Sequence, residues 1–358
     1  MSDTLSKVRN ALLRVSQGVL AAPDFRERKT FQRFFKCGNV PYVGDEIDIR
    51  YSPGQGTAHY GNVVRCGSVW LCPDCSAKIS AIRCKENKKA ISNWLSLDPD
   101  NFVAMLTLTH SHTIDDSLSD LLENQAEALQ RFWRHGSVRR LLKSIGCVGR
   151  INCFEITYGP GTGWHPHRHI LLFCKKQDDL EGLGCKLRAY WTQALEKFDL
   201  KGNNYSLNLQ GGAHADQYVT KLALEVSLSN LKRSPDGSER YTPFALLNLI
   251  KENLLNPPLW AVKAFREYAL ATRGKHQFSW SKKLRELLGL VEVSDEELAE
   301  AEPPDSVTLV TIPFEVFKQI RGKFIVYHAL LECASRGDPV LLEHWLNDRG
   351  YHVRRYAA

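Results

Sequence analysis

Apolar and polar positions alternate most clearly in one stretch near the middle of the chain. Residues 151–173 read INCFEITYGPGTGWHPHRHILLF, two segments joined by a turn rich in Gly and Pro, and predict an antiparallel hairpin. His165, His167 and His169 occupy alternate positions, so one face of a strand would present all three. Because they run into the apolar ILLF, the pattern favours the polar end of a buried strand over histidines that merely face water. With Glu155 on the first strand, it indicates a divalent-metal site.

Periodic patterns elsewhere predict that this hairpin lies within a small sheet. The run FVAMLTLT at 102–109 is typical of a buried strand that ends in hydroxyls. Further periodic stretches predict helices at 1–20, 76–95, 117–143, 183–198 and 213–225, and a short strand at 205–210. The fold class that follows is α/β of the α+β type, with a central antiparallel sheet of about five strands around the hairpin and helices on one face.

The chain divides by composition into four predicted parts. Residues 1–95 form an N-terminal region with clustered cysteines, and 96–290 contain the hairpin and its helical extension. The acidic stretch 291–306 holds two adjacent prolines and predicts a short helix and a linker. Residues 307–358 begin with VTLVTIPF and continue with two amphipathic helices, which predicts a small C-terminal module. The residues of this module are compatible with three roles: binding duplex DNA, forming oligomers, or packing on the rest of the protein.

Composition limits the class of protein. Hydrophobic residues make up 43% of the 358 residues and charged residues 24%, which is ordinary for a soluble globular protein. The formal net charge of +7 permits a polyanionic partner without requiring one. The opening residues suit an amphipathic helix better than a secretory leader, and no window approaches a membrane span. A cytoplasmic protein with reduced thiols and no membrane partner is therefore expected.

Clustered cysteines in a reducing compartment are more often metal ligands than disulfides. One short segment supplies three of the ten, Cys66, Cys72 and Cys75. Its C-x-x-C spacing lets two sulfurs bind one tetrahedral ion, which predicts a structural Zn²⁺ site. For the fourth ligand Cys37, in the turn-like CGNVPY, is preferred over His59 and Cys84. The competing interpretations are small buried hydrophobic residues and a redox pair.

A basic stretch ends the helix predicted at 117–143. It interleaves cations with two rings: Arg131, Arg134, Arg139 and Arg140 with Phe132 and Trp133. Basic side chains neutralise phosphates and rings stack on bases, so Arg131, Arg134 and Trp133 are candidates for a groove that binds single-stranded DNA. The alternative is a solvated helix face with the aromatics on its core side.

The helix predicted at 213–225 carries a second set of polar side chains. Offsets of four, three and four residues place these on one face: His214, Tyr218, Lys221 and Glu225. Such a face presents a hydroxyl beside a cation and possible proton acceptors. A surface tyrosine with a nearby lysine is common, so the set becomes meaningful only beside the histidine strand.

Three stretches in order carry a family resemblance: LTLT at 106–109, GWHPHRHILL at 163–172 and QYVTK at 217–221. They resemble motifs one, two and three of the HUH endonucleases, in particular the rolling-circle replication initiators of bacterial plasmids. The cysteine-rich head and ATRGKHQFSWSKKLRELLGL at 271–290 are similar to further segments of that family. The resemblance covers about residues 35–290, and motif two with its tryptophan is the most specific part.

The resemblance implies a metal site and a nucleophile on a sheet like that of a ferredoxin. The family's HxH pair binds Mg²⁺ or Mn²⁺ and corresponds here to His167 and His169, with Glu155 as the best match for a third ligand. His165 then becomes an outer-shell or DNA-positioning residue. Tyr218 matches the family's nucleophile, whose attack on DNA gives a 5′-phosphotyrosyl bond and a free 3′-OH.

A phenol with a pKa near ~10 is a poor nucleophile at neutral pH. The metal would polarise the scissile phosphate and hold it in line, while Lys221 would steady the accumulating charge. Related initiators end the cycle with a second tyrosine or a glutamate four residues away, and this chain has neither there. Termination would therefore rely on a water activated by His214, Asp216 or Glu225, or on a second subunit.

Two further features bear on the hairpin. Arg168 stands between the HxH histidines where the family name implies a bulky hydrophobic residue, and a phosphate contact is the expected replacement. With a four-residue turn, simple pairing brings Glu155 nearest Arg168. A bulge or a one-residue shift would then be needed to bring Glu155 to the histidine face.

Three functions agree with these residues. The leading one is a plasmid replication initiator that acts on single-stranded or hairpin origin DNA, with a host helicase and DNA polymerase as implied partners and room for a homo-oligomer at the origin. The second is a transposase or relaxase with the same chemistry. The third, from another class, is a zinc-stabilised DNA-binding regulator without nuclease activity. A bacterial cytoplasmic location is expected for the initiator.

Overall fold

The computed structural model describes residues 2–175, 179–211, 231–233 and 239–351. Two compact units make up the chain. The terminal unit combines Met1–Cys75 with Ser294–Ala358, and the central unit is Ser76–Val293. The division into four parts by composition stays a prediction. No helix in the described ranges has both the length and the apolar character that crossing a bilayer requires.

The secondary structure alternates helices with short strands. The strands of the described ranges are β1 Glu46–Ser52, β2 Thr57–Gly61, β3 Phe102–Leu108, β4 Gly149–Gly159, β5 Gly163–Cys174, β6 Leu207–Gln210, β7 Leu231–Arg233, β8 Glu239–Tyr241, β9 Phe278–Trp280 and β10 Val307–Pro313. The α-helices of those ranges are α1 Ser2–Ala21, α2 Gln32–Lys36, α3 Pro73–Leu97, α4 Leu118–Arg134, α5 Gly136–Ser144, α6 Leu180–Glu196, α7 Pro243–Glu252, α8 Leu259–Ala271, α9 Leu284–Leu287, α10 Asp295–Glu300, α11 Phe314–Gly322, α12 Phe324–Ala334 and α13 Pro339–Asn347. Several helices begin after a side chain that accepts a backbone N–H, as at Ser117, Asp179, Thr242 and Asp338.

The predicted hairpin lies at the centre of the sheet of the central unit. The strand order is β6-β3-β5-β4-β8-β7, with β9 also paired to β4, and the neighbours run antiparallel. A mixed fold with an antiparallel sheet and packed helices is therefore confirmed. The described sheet has seven strands where the pattern predicts about five. Three of the seven are only three residues long, too short to show a period.

Helices cover both faces of this sheet, so the prediction of helices on one face is wrong. Arg168 and Phe173 on β5 point to opposite faces because they are an odd number of residues apart. Arg168 meets Gln125 of α4, whereas Phe173 meets Trp94 of α3. Helix α3 packs its apolar side on one end of the second face, where Trp94 shares a core cluster with Val103. The histidines lie further along that second face.

A three-residue loop, rather than four residues, joins β4 to β5. Gly159 pairs with Gly163, and the Thr162 N–H donates to the Gly159 carbonyl at 3.1 Å. Gly163 has φ +80°, the left-handed conformation that closes such a loop. As a result Glu155 pairs with His167 rather than Arg168, and no bulge or shift is needed.

The helix predicted at 117–143 is two helices. His135 separates α4 from α5 with an extended backbone, φ −64° and ψ 128°. Its ring nitrogen accepts the Ser137 N–H at 3.2 Å and so caps the start of α5. Histidine is not among the residues that usually cap the start of a helix, which are Ser, Thr, Asp and Asn. The break was therefore not predicted.

The terminal unit is built on a three-stranded antiparallel sheet in the order β10-β1-β2. Ile47 and Ile49 of β1 and Ile312 of β10 are fully buried in one core, together with Phe317 and Leu330. The strand that follows the acidic stretch therefore completes a sheet that begins near residue 46.

Between β10 and Tyr351, the last described residue, the chain forms three helices where the pattern predicts two. Lys323 is extended, with φ −108° and ψ 94°, and it ends α11 one residue before α12 begins. This break allows Phe317 of α11 and Tyr327 of α12 to join the same core. The acidic stretch holds the short helix α10, which opens with a capping box between Ser294 and Glu297.

Candidate metal centres

The central hairpin brings one carboxylate and two imidazoles together. Glu155 pairs with His167 across β4 and β5, and His169 lies two residues further along the same face. One carboxylate oxygen, Glu155 Oε2, is 3.3 Å from the Nε2 atom of each histidine. The three side chains have exposed fractions between 13% and 19%, so solvent or a substrate can reach them.

This set of donors fits a divalent cation. The three ligand atoms lie within 4.8 Å of one another. Adjacent ligands of an octahedral ion with bonds of about 2.1 Å are about 3 Å apart, close to the observed separations. Imidazole and carboxylate together suit several divalent ions, so the donors alone do not select the metal. Three protein ligands leave positions for water or a substrate oxygen, which is the arrangement of a catalytic rather than a closed site.

Strand β3 adds a polar contact that the sequence analysis did not assign to this site. Thr107 pairs with His169, and its Oγ1 atom is 3.2 Å from His169 Nδ1. A partner at Nδ1 holds the ring so that Nε2 faces Glu155. The sequence feature that could have identified Thr107 is its hydroxyl at the polar end of the buried strand, in LTLT.

His165 lies on the same face of β5 but outside the ligand cluster. Its Nδ1 atom is 2.6 Å from His112 Nε2, and His112 Nδ1 is 2.9 Å from the Thr162 carbonyl oxygen. Because a carbonyl only accepts, His112 Nδ1 carries a proton and a neutral His112 accepts from His165. Burial lowers the pKa of both histidines. His112 is a partner that the sequence analysis missed, although the HSH following LTLT was a signal.

The tryptophan of the hairpin has a packing role. Trp164 is 2% exposed, and its ring lies 4.8 Å from that of Tyr158 and 6.1 Å from that of Tyr268. Its indole N–H donates to Glu267 Oε2 at 2.8 Å. The other carboxylate oxygen accepts the backbone N–H of Leu118 at 2.7 Å. Trp164 therefore ties β5 to α8 and, through Glu267, to the start of α4.

Arg168 points away from the metal cluster. Its guanidinium carbon lies 4.3 Å from the centre of the Phe154 ring, and Nε donates to Gln125 Oε1 at 2.9 Å. Burial lowers the pKa of Arg168 to about 10, so it remains charged at neutral pH. Arg168 therefore lies on the face opposite the histidines, because neighbouring residues of a strand point to opposite faces. A phosphate contact by Arg168 stays a prediction.

The basic stretch at the end of α4 contains three kinds of environment. Arg131 and Arg134 are exposed, whereas Phe132 is 1% exposed and belongs to the core. Trp133 is half-buried, and the Arg150 guanidinium lies 4.2 Å from the centre of its ring. Phe132 therefore lies on the core side of the helix, whereas Arg131 and Arg134 face solvent. A DNA contact by Arg131, Arg134 and Trp133 stays a prediction.

The residues predicted to act in catalysis fall in one segment. His214, Asp216, Tyr218 and Lys221 lie outside the residues that the structure describes. Their roles rest on the sequence and stay predictions.

Four cysteines converge in the terminal unit. Cys37 Sγ is 3.7 Å from the sulfurs of Cys72 and Cys75, and Cys66 Sγ is 3.7 Å from that of Cys75. A tetrahedral ion with metal–sulfur bonds of about 2.3 Å places its sulfurs about 3.8 Å apart, so the geometry fits a structural ion such as Zn²⁺. All four side chains are buried, which suits a closed site without a position for substrate.

Backbone amides support negative charge on these sulfurs. The Cys66 N–H points to Cys37 Sγ and the Cys75 N–H to Cys72 Sγ, each at 3.4 Å. Hydrogen bonds from the other three thiols lower the pKa of Cys75 well below its usual value. The structure thus brings the preferred fourth cysteine to the cluster. The alternatives lie elsewhere: His59 Nε2 is 3.3 Å from Ser306 Oγ, and Cys84 lies within α3.

Similar proteins exist among curated sequences. A protein named "Protein rep" from Streptomyces lividans is 27% identical over 304 residues, which cover 66% of this chain and 66% of that protein. A "Neomycin resistance protein" from Streptomyces cyanogenus is 31% identical over 141 residues, 33% of this chain and 32% of that protein. The chain thus spans less than two thirds of the length of either relative. No family model matches the chain. No solved structure matches it either.

Proposed function

We propose that this protein initiates rolling-circle replication of a plasmid by nicking and rejoining single-stranded DNA at the origin. The observation that carries the proposal is the convergence of Glu155, His167 and His169 on one sheet face. A partly exposed site with open coordination positions suits the polarisation of a phosphate oxygen. The order of the three motifs and the similarity to a protein named "Protein rep" support the same function.

In the proposed reaction Tyr218 is the nucleophile. Its phenolic oxygen bonds to phosphorus while the bond from phosphorus to the 3′ oxygen breaks. The 3′ oxygen takes up a proton and becomes a free 3′-OH, and the DNA stays attached through a 5′-phosphotyrosyl bond. The phenolic proton passes to a base, for which His214 and Asp216 are the candidates. Lys221, three residues after Tyr218, would offset the negative charge that builds up on the phosphate.

The residues of the hairpin would prepare the phosphate for this attack. His167, His169 and Glu155 would hold Mg²⁺ or Mn²⁺, which when bound withdraws charge from the scissile phosphate. Thr107 would keep the His169 ring in its ligand orientation. Rejoining reverses the first step, because a 3′-OH attacks the phosphotyrosine and releases the Tyr218 oxygen.

The proposed function also defines the cellular setting. The substrate is single-stranded or hairpin origin DNA, and the free 3′-OH serves a host DNA polymerase behind a host helicase. The reaction exchanges one phosphodiester for another and needs no nucleotide cofactor. A homo-oligomer at the origin would supply a second nucleophile for termination. The setting is the cytoplasm of a bacterium, and the four-cysteine site would hold Zn²⁺ there as a structural ion.

Two other functions fit part of these observations. A transposase or relaxase would use the same residues, and plasmid loss when Tyr218 is changed to Phe separates an initiator from either. A zinc-stabilised DNA-binding regulator would need only the cysteine site and a basic surface. Against the regulator stand the three convergent metal ligands, which DNA binding alone does not require.

The experiment that tests the proposal is a covalent-adduct assay. Labelled single strands that tile the origin region are incubated with the protein, with and without Mn²⁺, and are then separated under denaturing conditions. We expect a shifted protein–DNA band that requires Mn²⁺ and disappears in Tyr218→Phe, because removal of the hydroxyl removes the attacking oxygen.

The matched control is Tyr205→Phe, which removes the hydroxyl of a tyrosine that is 86% exposed. This variant should form the adduct as the unchanged protein does. An adduct that persists in Tyr218→Phe would disprove the nucleophile assignment. DNA binding without any adduct, in either metal condition, would favour the regulator.

A further inference from the structure

A basic pocket lies in the central unit, at the end of the sheet where β4 begins and β5 ends. Its volume is about 590 Å³, the size range of pockets that hold small ligands. The described residues that line it are Trp133, Arg139, Leu142, Lys143, Gly146, Cys147, Val148, Gly149, Arg150, Lys175, Ser281 and Lys282. The basic pocket does not include any residue of the metal cluster.

The charge of the basic pocket has one sign. Five cationic side chains line it, Arg139, Lys143, Arg150, Lys175 and Lys282, and none of the described lining residues is acidic. All of these except Arg150 are exposed. Like charges so close together repel one another, and a polyanion that binds there relieves the repulsion and releases its own counterions.

The wall of the basic pocket is built from fixed contacts. The Arg150 guanidinium stacks 4.2 Å from the centre of the Trp133 ring. The Arg150 N–H donates to Ser281 Oγ, and the Ser281 N–H donates to the Arg150 carbonyl, each at 2.9 Å. These bonds keep the residue next to Lys282 against β4. Arg150 therefore belongs to the wall, whereas Lys143, Lys175 and Lys282 are the cations free to follow a ligand at the rim.

Glycines shape the floor of the basic pocket. A side chain at Gly146 would come within 2.9 Å of Lys175 Cβ, and one at Gly149 within 2.9 Å of both Leu284 Cδ1 and Ser281 Oγ. The backbone N–H groups nearby are already used, since the Gly146 N–H donates to the Lys143 carbonyl and the Cys147 N–H to the Leu142 carbonyl. Recognition of an anion would thus depend on side-chain cations, a mode that does not select a base sequence.

We propose that the basic pocket is a second DNA-contact surface, which binds phosphates of the strand that flanks the cleavage site. Gly149 in the pocket and Glu155 in the metal cluster lie six residues apart on β4, so the two sites are about 20 Å apart along the strand. A flank of a few nucleotides spans that distance. The half-buried Trp133 ring beside the cations is the feature that a strand with unpaired bases can use and a small anion cannot. The choice of DNA as the ligand rests on the proposed function.

Salt-dependent binding of single-stranded DNA tests this surface. The variant combines Lys143→Gln with Lys282→Gln, two exposed positions where loss of charge does not disturb the core. Its partner in the assay is a fluorescent long oligothymidylate, because phosphate contacts do not depend on sequence. We expect binding about tenfold weaker at moderate salt, and a plot of log affinity against log salt that is less steep by about 1.4.

The matched control combines Lys186→Gln with Lys197→Gln, which removes two exposed lysines of the same unit that do not line the basic pocket. An equal loss in the control, or no loss in the pocket variant, overturns the proposal. A pocket variant that binds inorganic phosphate less well but binds DNA normally would make the pocket a site for a small anion, which also overturns it.

A second measurement separates this proposal from the proposed function. Adduct formation is followed on an origin strand with a long flank and on the same strand trimmed to its cleavage site. The pocket variant should react more slowly on the long strand at limiting DNA and normally on the trimmed strand. An equal defect on both strands would show that the pocket acts on the DNA at the cleavage site itself. That result would overturn the proposal that the pocket binds the flanking strand. If the unchanged protein forms no adduct, the proposed function fails, and the oligothymidylate result alone decides the pocket.

Discussion

Glu155 is the residue on which the metal assignment depends most. Glu155→Gln keeps the size of the side chain but removes the negative charge that faces both histidine nitrogens at 3.3 Å. We expect the affinity for Mn²⁺, measured by calorimetry, to fall by about tenfold or more, since even residues behind the ligands contribute that much. Glu196→Gln, at an exposed position, should leave the affinity unchanged. Equal Mn²⁺ binding by Glu155→Gln and the unchanged protein would remove Glu155 from the site.

Arg168 and Gln125 form a pair whose contribution is to folding. Gln125 is fully buried and its Oε1 atom accepts from Arg168, so Arg168→Met leaves a buried acceptor without that donor. We expect the free energy of unfolding in urea to fall by about 1–3 kcal/mol. The double change Arg168→Met with Gln125→Leu removes both polar groups of the pair and should recover part of the loss. The recovery is only partial because the Gln125 amide that donates to the Pro166 carbonyl at 3.2 Å is lost as well. Loss of Mn²⁺ binding in Arg168→Met would show instead that Arg168 acts at the metal face.

These residues show what period-two reasoning can and cannot supply. It placed His165, His167 and His169 on one face, because strand geometry requires that alternation. It could not supply Gln125, because the partner of Arg168 comes from a helix more than forty positions earlier in the chain. The family resemblance could not identify the partner of Arg168 either, because Arg168 stands where the family has a bulky hydrophobic residue.

At the scale of elements, the hairpin loop sets the register of the metal site. Gly163 has φ +80°, and a Cβ there would lie 2.5 Å from the Thr113 carbonyl oxygen. Gly163→Ala should lower the free energy of unfolding by at least about 1–2 kcal/mol, because the left-handed conformation alone costs that much. It should also weaken Mn²⁺ binding, since relief of the clash shifts His167 against Glu155.

Gly161 provides the matched control for this change. It lies in the same loop and has no left-handed φ, and a Cβ added there would meet no atom within 4 Å. Gly161→Ala should therefore change stability by less than about 0.5 kcal/mol and leave Mn²⁺ binding intact. Chemical denaturation and Mn²⁺ titration of both variants give the comparison, and equal effects at the two glycines would contradict a register role for Gly163.

The register itself was beyond the sequence analysis because loop length decides it. Loops of three and four residues both fit the letters GPGT, yet they differ by one position in pairing. The break at His135 was missed for a related reason, since a histidine cap depends on where its ring points. The long strands β3, β4 and β5, by contrast, carry enough alternating or apolar positions to be predicted.

At the scale of the whole molecule, the C-terminal residues belong to the fold of the N-terminal ones. Removal of residues 307–358 takes away β10, so β1 loses its partner on one side, and Tyr60 loses the Tyr327 carbonyl to which its hydroxyl donates at 2.9 Å. We expect faster amide exchange in Glu46–Ser52 and a lower content of metal bound by the four cysteines. The metal content should fall because Arg321, which donates to Asn39 near Cys37, is also removed.

Hydrogen exchange by mass spectrometry and metal analysis of the full and shortened chains provide this test. Unchanged protection of β1 in the shortened chain would show that residues 307–358 fold as a separate module. Local patterns could not predict the β10-β1 pairing, because the alternation of apolar and polar residues within a strand does not depend on which strand it pairs with. Pairing across so many residues is decided by the core that Ile49 and Val310 share.

The pairing of β1 with β10 also sets an order of events during synthesis. Ribosomes add about 5–20 residues per second, so β1 waits roughly 10–50 s for β10 to emerge. Throughout that interval one edge of β1 offers unpaired backbone groups to other chains. The cysteines from Cys37 to Cys75 are made early, so an ion taken up there would be the first long-range link in the nascent protein. Metal uptake at the cysteines would then come before β10 covers the open edge of β1.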